Sequence, residues 1–392
     1  MTMYKYLLFL FLFPVLAGCR EEDDPGIFVN DKAPDPVSGV QVRNLPGAAL
    51  LTYTLPQSKD MLYVKATYSI RKGVEREAKS SYFNNGLLVE GFPDTSGYTV
   101  TLYAVSRGEK MSEPVTVTVH PLTPPVQEVF RSLELERTFG GVTVKFRNAS
   151  EANVVMTVLA EDSTGEMKLA DNFYTKMKQG AFAARGFDTT RRRFAVFVKD
   201  HWDNHSDTVT AELTPLFEKQ LDKSKFKEVH LSQDNWEPNG QKPMSKLWDG
   251  IIPTGESHAM FSSKAGEGFP QSFTFDLGVT ASLSRFTYYP RSDGSFAYSN
   301  VPRLFEIWGS NDPASDGSWE SWTKLLDCEM IKPSGSPQGT VTDEDRAYSQ
   351  AGINYEFPPG TPPFRYIRFK TLEVWSGSNI SILELNIYGN DQ

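Results

Sequence analysis

The sequence has little cysteine, no excess of positive charge and no hydrophobic run long enough to cross a membrane. Its 392 residues include 2 Cys, too few for a disulfide scaffold. Its 40 basic residues are outnumbered by 49 acidic ones, so no broad basic field is present to hold nucleic-acid phosphates. The apolar stretch from Leu7 to Val15 is too short for a mature spanning helix. These absences argue against a disulfide-rich fold, nucleic-acid binding and a membrane-spanning helix.

Motifs of catalysis are also missing. The sequence contains no Gly-x-Ser-x-Gly elbow, no His-Glu-x-x-His helix and no phosphate-binding Gly-Lys-Ser/Thr loop. A glycosidase needs only two carboxylates that meet in space, so an enzyme stays open as an alternative. The three small β modules described below account for the chain after its leader and leave no separate catalytic domain. We therefore predict that the protein is not an enzyme.

What the sequence has in quantity favours β-structure. Hydrophobic residues make up 39% of the chain, which is enough to fill several small cores. Aromatic residues make up 12%, and 25 Pro and 29 Gly supply turns, so many short strands are favoured over long helices. The length predicts two or three domains.

Residues 1–18 have the form of a secretory signal that ends in a lipidation motif. Lys5 precedes the apolar run, and Leu16-Ala17-Gly18-Cys19 resembles the bacterial lipobox, in which the Cys is acylated after cleavage. The alternative is an ordinary signal peptide with an accidental Cys. Residues 19–33 are predicted to form an acidic tether, in which Arg20-Glu21-Glu22-Asp23-Asp24 resembles the stretch that sends Bacteroidetes lipoproteins to the outer face of the outer membrane. The alternative is a solvated linker.

Two stretches of about ninety residues, 34–122 and 126–215, read as related β-sandwiches. Alternating strand segments such as Leu50 to Leu55 and Tyr98 to Val105 are separated by Pro, Gly and Asn turns. Ser112 to Pro121 matches Ser206 to Pro215 at a constant offset of 94 residues. The fold predicted for both stretches is immunoglobulin-like or fibronectin III-like, although chance recurrence of Thr and Val is an alternative explanation of the repeat.

Two shorter segments carry weaker patterns. Residues 200–207 bring His and Asp together, but Asp, Asn and Ser are ordinary turn formers, so we predict a loop and not a metal site. Residues 216–229 place Leu216, Phe217, Leu221 and Phe226 on one side of a helical projection, which predicts a short amphipathic linker helix.

Residues 230–392 contain six of the seven Trp residues and an ordered series of strand segments. The markers are Lys246 to Gly250, Ser272 to Gly278, Phe286 to Arg291, Phe305 to Asp312, Phe364 to Phe369 and Ile382 to Gly389. In this order they resemble the discoidin family, also called coagulation factor 5/8 type C domains, whose fold is a β jelly roll. The predicted fold class is therefore all-β, with two immunoglobulin-like or fibronectin III-like sandwiches followed by a discoidin-like jelly roll.

The resemblance implies a cation site. In the family an Asp-Gly turn, a Thr five residues after the Asp and a late Glu hold the ion, and Asp249, Gly250, Thr254 and Glu384 match these positions. Such oxygen ligands suit Ca²⁺, so a structural Ca²⁺ is the implied cofactor. Ile251 departs from the family's Asn or Asp. The alternative is that Asp249 caps a turn and Glu384 pairs with a neighbouring Arg or Lys.

The resemblance also implies a sugar-binding end of the jelly roll. Sugars stack on aromatic rings and are held by planar hydrogen-bonding groups. The corresponding loops offer Trp236, His258, Arg291, Phe296, Tyr298, Asn300 and Trp375. The guanidinium of Arg291 suits neighbouring hydroxyls or a uronate carboxylate. Each aromatic residue has core packing as its alternative, and Trp248, Trp308 and Trp319 are assigned to packing because they lie in or beside strands.

The whole arrangement resembles Bacteroidetes cell-surface lipoproteins encoded with glycan-uptake systems. We therefore predict a non-catalytic glycan-binding lipoprotein, held at the outer membrane by its lipid and facing the cell surface. A TonB-dependent transporter complex is a further implied partner, and the two sandwiches act as spacers. The alternative from another class is an adhesion or assembly module that binds protein. The polar stretch 333–352 is predicted to be a mobile loop, and Cys328 a buried apolar group.

Overall fold

The computed structural model describes residues 32–252, 259–292 and 297–392. These residues form short antiparallel strands and two short α-helices. The predicted fold class is confirmed: two fibronectin III-like sandwiches precede a discoidin-like jelly roll. Within the described ranges no helix has both the length and the apolar character that a membrane crossing requires.

The first sandwich packs a three-stranded sheet on a four-stranded one. Its alternating strands bury one face each, and Leu51, Val64 and Val100 are fully enclosed between the sheets. The sheet orders are β1-β2-β5 and β4-β3-β6-β7. The strands are β1 (Ser38–Leu45), β2 (Ala48–Thr54), β3 (Met61–Arg71), β4 (Val74–Ser81), β5 (Gly86–Glu90), β6 (Tyr98–Ser106) and β7 (Val115–Val119).

The second sandwich repeats this topology after a short helix that the sequence did not predict. Its sheet orders are β12-β9-β8 and β11-β10-β13-β14, which is the order of the first sandwich strand for strand. The last two strands of each sandwich begin and end 94 residues apart, so the repeat seen in the sequence is a repeat of structure. The elements are α1 (Pro125–Arg131), β8 (Glu134–Thr138), β9 (Gly141–Arg147), β10 (Val154–Glu161), β11 (Met167–Thr175), β12 (Gln179–Arg185), β13 (Arg192–Asp200) and β14 (Val209–Leu213).

The jelly roll is organised around one long strand that belongs to both of its sheets. The elements are β15 (Lys219–Gln220), β16 (Lys227–Val229), β17 (Phe261–Ser262), β18 (Gln271–Pro290), β19 (Pro302–Ser310), β20 (Thr323–Glu329), α2 (Asp343–Ala351), β21 (Ile353–Glu356), β22 (Phe364–Val374) and β23 (Ser381–Asn390). The first part of β18 pairs with β16 and β22, and the second part pairs with β21 and β23. An irregularity between Asp276 and Ala281 separates the two parts.

The core between these sheets is rich in phenylalanine. Phe273, Phe305 and Phe369 stack with ring centroids 4.7–5.0 Å apart, and all three are essentially inaccessible. Because both sheets turn their large apolar side chains inward, the polar loops that join the strands collect at the ends of the sandwich.

The predicted linker helix over 216–229 is wrong. Lys219–Gln220 pairs with β23 and Lys227–Val229 with β18, and a single 3-10 turn, Lys223–Lys225, lies between them. Leu221 and Phe226, which looked like a helical stripe, are buried in the jelly-roll core. The segment is therefore part of the jelly roll, since its apolar residues pack where strand pairing places them.

The polar stretch 333–352, predicted to be a mobile loop, contains a capped helix. Thr342 and Asp345 form a capping box at the start of α2: the Thr342 hydroxyl accepts from the Asp345 N–H, and the Asp345 carboxylate accepts from the Thr342 N–H. Asp345 is fully buried and also accepts the N–H and hydroxyl of Ser334. These bonds fix the stretch against the jelly roll.

The described chain divides into two compact units. One comprises residues up to 131 together with 148–154 and 199–206, and the other the remainder. In the first unit the 199–206 loop packs on Gly91, where an added Cβ would lie 3.0 Å from the Trp202 ring. Asn204 donates to the Gly91 carbonyl at 3.1 Å, and Arg71 donates to the Asp203 carbonyl at 2.8 Å. The loop predicted at 200–207 is thus a packing element.

Candidate functional site

Two loops meet at one end of the jelly roll and bring predicted site residues together. The loop after β18 and the loop between β22 and β23 exchange backbone hydrogen bonds: Asn300 N–H donates to Ser376 at 2.9 Å, and Trp375 N–H donates to Val301 at 2.9 Å. Within the first loop, Tyr298 N–H donates to the Arg291 carbonyl at 3.2 Å. Arg291, Asn300 and Trp375, which are up to 84 residues apart in sequence, are therefore placed on neighbouring loops.

The backbone of this loop end is constrained. Tyr298 and Asn300 have φ of 65° and 59°, a region that non-glycine residues seldom adopt. Gly377 lies against Asn300, and a Cβ at 377 would lie 1.7 Å from the Asn300 Oδ1. Such strained backbone conformations are kept only where the surrounding structure imposes them, and they are frequent at ligand sites. The Asn300 carboxamide thus packs closely against Gly377.

The Trp375 ring is half-buried and surrounded by other side chains. It meets the Tyr298 ring edge to face at 5.9 Å, and the Arg303 and Lys332 cations lie 5.1 and 4.8 Å from its centroid. Its indole nitrogen is buried without a hydrogen-bond partner. Core packing, the alternative given for each aromatic residue, therefore accounts for part of the Trp375 ring, because its loop folds back onto the core.

Two predicted ligand residues are buried and cannot present their rings to a sugar. Trp236 is 4% exposed and packs edge to face on Phe261 at 5.2 Å. Tyr298 is 2% exposed, and its hydroxyl donates to the Asp345 carbonyl at 2.9 Å. For both residues core packing, the alternative, is the correct explanation. His258 and Phe296 lie outside the described residues, as does Cys19.

The sequence did not point to Lys332 and Arg303. Lys332 is 6% exposed, and its ammonium donates to the carbonyls of Thr340 at 2.8 Å and Pro337 at 3.2 Å. Burial lowers the pKa of Lys332. Arg303 bridges Glu373 at 2.8 Å and Glu329 at 3.4 Å. No motif could have revealed them, because they reach Trp375 only through the pairing of distant strands.

The residues of the implied cation site lie close together but are engaged with other groups. Glu384 is fully buried and accepts the Gly250 N–H at 3.2–3.3 Å, and the Lys223 ammonium contacts its carboxylate. Burial raises the pKa of Glu384 to about 7, while Lys223 and the Gly250 N–H oppose that rise. Asp249 pairs with Lys246 at 2.9 Å. Thr254 lies outside the described residues.

A cluster of aromatic rings and cations covers one sheet of the jelly roll. Trp308 and Trp319 meet edge to face at 5.0 Å, and the fully buried guanidinium of Arg368 lies 3.9 Å from the Trp319 centroid. Arg368 is paired with Asp234 at 2.8 Å. The rings of this pair are thus held by their neighbours on the sheet, as the packing assignment of Trp308 and Trp319 predicts.

Two cavities lie away from the loop end. One of about 370 Å³ in the first unit is lined by Phe92, Pro124 and Trp202. The other, of about 720 Å³ in the second unit, is lined by Phe182, Arg185 and Phe357 among others. Two ion pairs lie at the second cavity: Lys145 with Glu136 at 2.6 Å, and Arg185 with Glu356. Neither cavity is lined by a residue of the predicted sugar site.

Known family models match most of the chain. Three family models, each described as a domain of unknown function, match residues 34–121 (DUF4959), 122–224 (DUF5126) and 248–389 (DUF5000). A comparison with curated proteins found no match.

Solved structures give a more specific result. The chain is 36% identical to a SusE-like protein, covering 69% of this chain and 100% of that one, with a TM-score of 0.46. A carbohydrate-binding module of AlyQ, solved with 4,5-unsaturated mannuronic acid, is 19% identical over 43% of this chain and 97% of that one, with a TM-score of 0.28. An F5/8 type C domain from Bacteroides fragilis is 13% identical over 45% of this chain and 98% of that one, with a TM-score of 0.30.

The fold and the loop end define the class of this protein as a multidomain all-β protein with a terminal discoidin-like module. Because the identity to the SusE-like protein is 36% and extends over the whole length of that structure, the chain belongs to the family of SusE-like proteins.

Proposed function

We propose that the protein is a non-catalytic glycan-binding lipoprotein of the cell surface. The loop end of its jelly roll captures a polysaccharide or oligosaccharide for a glycan-uptake system. Cys19 carries the lipid that holds the chain at the outer membrane, and a TonB-dependent transporter complex is the partner that receives the glycan. The two sandwiches act as spacers between the lipid and the jelly roll.

The observation that carries this proposal is the convergence of Arg291, Asn300 and Trp375 on two hydrogen-bonded loops. The Arg291 guanidinium and the Asn300 carboxamide are planar groups whose donors and acceptor suit sugar hydroxyls or a uronate carboxylate. The half-buried Trp375 ring adds apolar surface beside them, although Tyr298, Arg303 and Lys332 take part of it. Membership of the SusE-like family supports a role as a binding protein.

The test is retardation of the full-length protein in gels that contain soluble polysaccharides, both neutral glucans and polyuronates. We expect Arg291→Ala to weaken binding about tenfold or more, because hydrogen bonds to a charged group each contribute roughly 1.5–3 kcal/mol. Trp375→Ala is expected to weaken binding as well. Arg131→Ala, which removes an exposed arginine from α1, is the matched control and should leave retardation unchanged.

Trp375 also has a structural role, so its effect needs a separate check. The thermal midpoint of each variant is measured alongside the gels, and Trp375→Phe retains an aromatic ring in the same packing. Unchanged retardation by both Arg291→Ala and Trp375→Ala would remove the loop end as the binding site. Hydrolysis of a retarding polysaccharide by the purified protein would overturn the non-catalytic assignment.

A further inference from the structure

The family cation would bind where the turn at Asp249 and Gly250 meets strand β23. Glu384 lies on this strand with its side chain fully enclosed, and the Gly250 N–H donates to both carboxylate oxygens at 3.2 and 3.3 Å. A buried carboxylate that stays ionised needs a compensating positive charge, because burying an unpaired ion is costly. The question is which cation supplies the compensation.

A lysine ammonium already fills that role. Lys223, on the 3-10 turn Lys223–Lys225, contacts the Glu384 carboxylate, and its side chain is only 18% exposed. The turn is fixed at its start by Asp222, whose carboxylate accepts the Ser224 N–H at 3.0 Å. Lys223 is thus aimed at Glu384 by a capped turn and not by a freely moving surface chain.

Among the described residues of this site, the carboxylate oxygens of Asp249 are also engaged. The two oxygens of Asp249 bind the Lys246 ammonium at 2.9 Å and the Ile251 N–H at 3.0 Å. The side chain of Ile251, at the position where the family has Asn or Asp, is hydrocarbon and supplies no ligand atom. Across the described ranges, no group of three or more His, Cys, Asp or Glu side chains could hold a metal ion. Ca²⁺ takes about six to eight oxygen ligands, and this donor set does not fit it.

We propose that the Lys223 ammonium takes the place of the divalent cation in this jelly roll. Through Glu384 it ties the 3-10 turn Lys223–Lys225 to the turn at Asp249 and Gly250 and to strand β23. A single internal positive charge, delivered by a flexible four-carbon side chain, supplies the compensation that an ion supplies elsewhere in the family. The jelly roll is therefore independent of calcium.

The experiment measures the thermal midpoint of the full-length protein in EDTA and in excess CaCl₂. We expect the two midpoints of the wild-type protein to coincide. Lys223→Met is expected to lower the midpoint by on the order of 10 °C in EDTA, because it leaves the buried Glu384 charge uncompensated. The double variant Lys223→Met/Glu384→Gln should recover much of that loss, since no buried charge remains.

Lys225→Met is the matched control, because it makes the same substitution at an exposed position of the same turn. Its midpoint should stay close to that of the wild type. A rise of the wild-type midpoint in CaCl₂ that Glu384→Gln abolishes would overturn the proposal. So would an unchanged midpoint for Lys223→Met, or a double variant as unstable as the single one. If Lys223→Met does not fold, the proposal is tested by the wild-type midpoints in EDTA and in CaCl₂ and by the stability of the double variant.

Discussion

Arg368 and Asp234 form an ion pair that is removed from water. Their side chains are 0% and 2% exposed, and the Arg368 Nε donates to Asp234 at 2.8 Å. The guanidinium also donates to the Gly317 carbonyl at 2.9 Å and lies over the Trp319 ring. Burial raises the pKa of Asp234, and Arg368 opposes the rise. Removing either residue alone would leave the other charge buried without its partner.

We expect Arg368→Met to reduce the free energy of unfolding by about 3–5 kcal/mol, because it leaves Asp234 buried without its partner. Chemical denaturation measures the loss. The control is Arg191→Met, whose side chain is 70% exposed and pairs with Glu212, which is 60% exposed. Because water solvates the charges of an exposed pair, this variant should lose much less free energy of unfolding. Equal losses in the two variants would contradict the argument.

The sequence predicted which side chains have the right chemistry for a sugar site, but not which of them are accessible. Arg291, Asn300 and Trp375 meet on adjoining loops, whereas Trp236 and Tyr298 are buried. The burial of Tyr298 depends on a helix almost fifty residues away, to which its hydroxyl donates. A turn-rich neighbourhood therefore does not show that an aromatic residue is exposed, since distant segments decide what covers it.

At the scale of elements, helix α2 depends on the ionised state of Asp345. Burial raises the pKa of Asp345, but the hydrogen bonds from Thr342 and Ser334 outweigh it and hold the pKa below its usual 3.8. A lowered pKa means that the stabilisation is complete at neutral pH and is lost as the pH falls through the folded-state pKa. The helix is thus expected to weaken only in strong acid.

We expect Asp345→Asn to destabilise the protein by about 1 kcal/mol at neutral pH, which is typical of losing a cap. The difference from the wild type should shrink below pH 3.8, where the wild-type carboxylate also becomes protonated. Unfolding curves across this pH range provide the measurement. Asp343→Asn, on an exposed first-turn residue, is the control. A difference that does not change with pH would show that charge is not the cause.

Secondary structure was predicted correctly where apolar and polar residues alternate over a whole strand. It was predicted wrongly where the apolar pattern is short and fits more than one kind of element. The alternation from Tyr98 to Val105 predicted β6, and the match of Ser112 to Pro121 with Ser206 to Pro215 predicted the repeat of β7 and β14. Residues 216–229 have apolar residues at spacings that fit either a helix or two strands around one tight turn. Pairing with β18 and β23 selects the strands. Thr342 and Asp345 carried a capping signal, but few apolar residues follow it, so the pattern did not indicate a helix.

At the scale of the whole molecule, the two compact units provide a calorimetric prediction. Chains with several domains commonly unfold in more than one step, and we expect at least two transitions for this protein. Arg368→Met should lower only the transition of the second unit. Trp202→Ala removes the ring that packs on Gly91 in the first unit and should lower only the other transition.

A single cooperative transition in differential scanning calorimetry would contradict this expectation. A shift of both transitions by either substitution would contradict it as well. His201→Ala, beside Trp202 on an exposed position of the same loop, is the control for changes in that loop.

The class and order of modules could be predicted because each leaves a long, regular pattern in the sequence. Repeated alternation and a constant spacing identify the sandwiches, and a series of ordered markers identifies the jelly roll. The cation site could not be settled in this way. Asp249 and Glu384 match the family pattern, yet Lys223, which lies outside that pattern, contacts the carboxylate.

The double membership of β18 also has a consequence for biosynthesis. Gln271 pairs with Thr371 and Ser282 with Asn390, so the partners of this strand leave the ribosome roughly a hundred residues after it does. Neither sheet can close during that interval, and Phe273, Phe275 and Phe286 have no interior to enter. Until the last paired strand is available, these rings stay exposed, and the incomplete jelly roll is expected to be prone to aggregation.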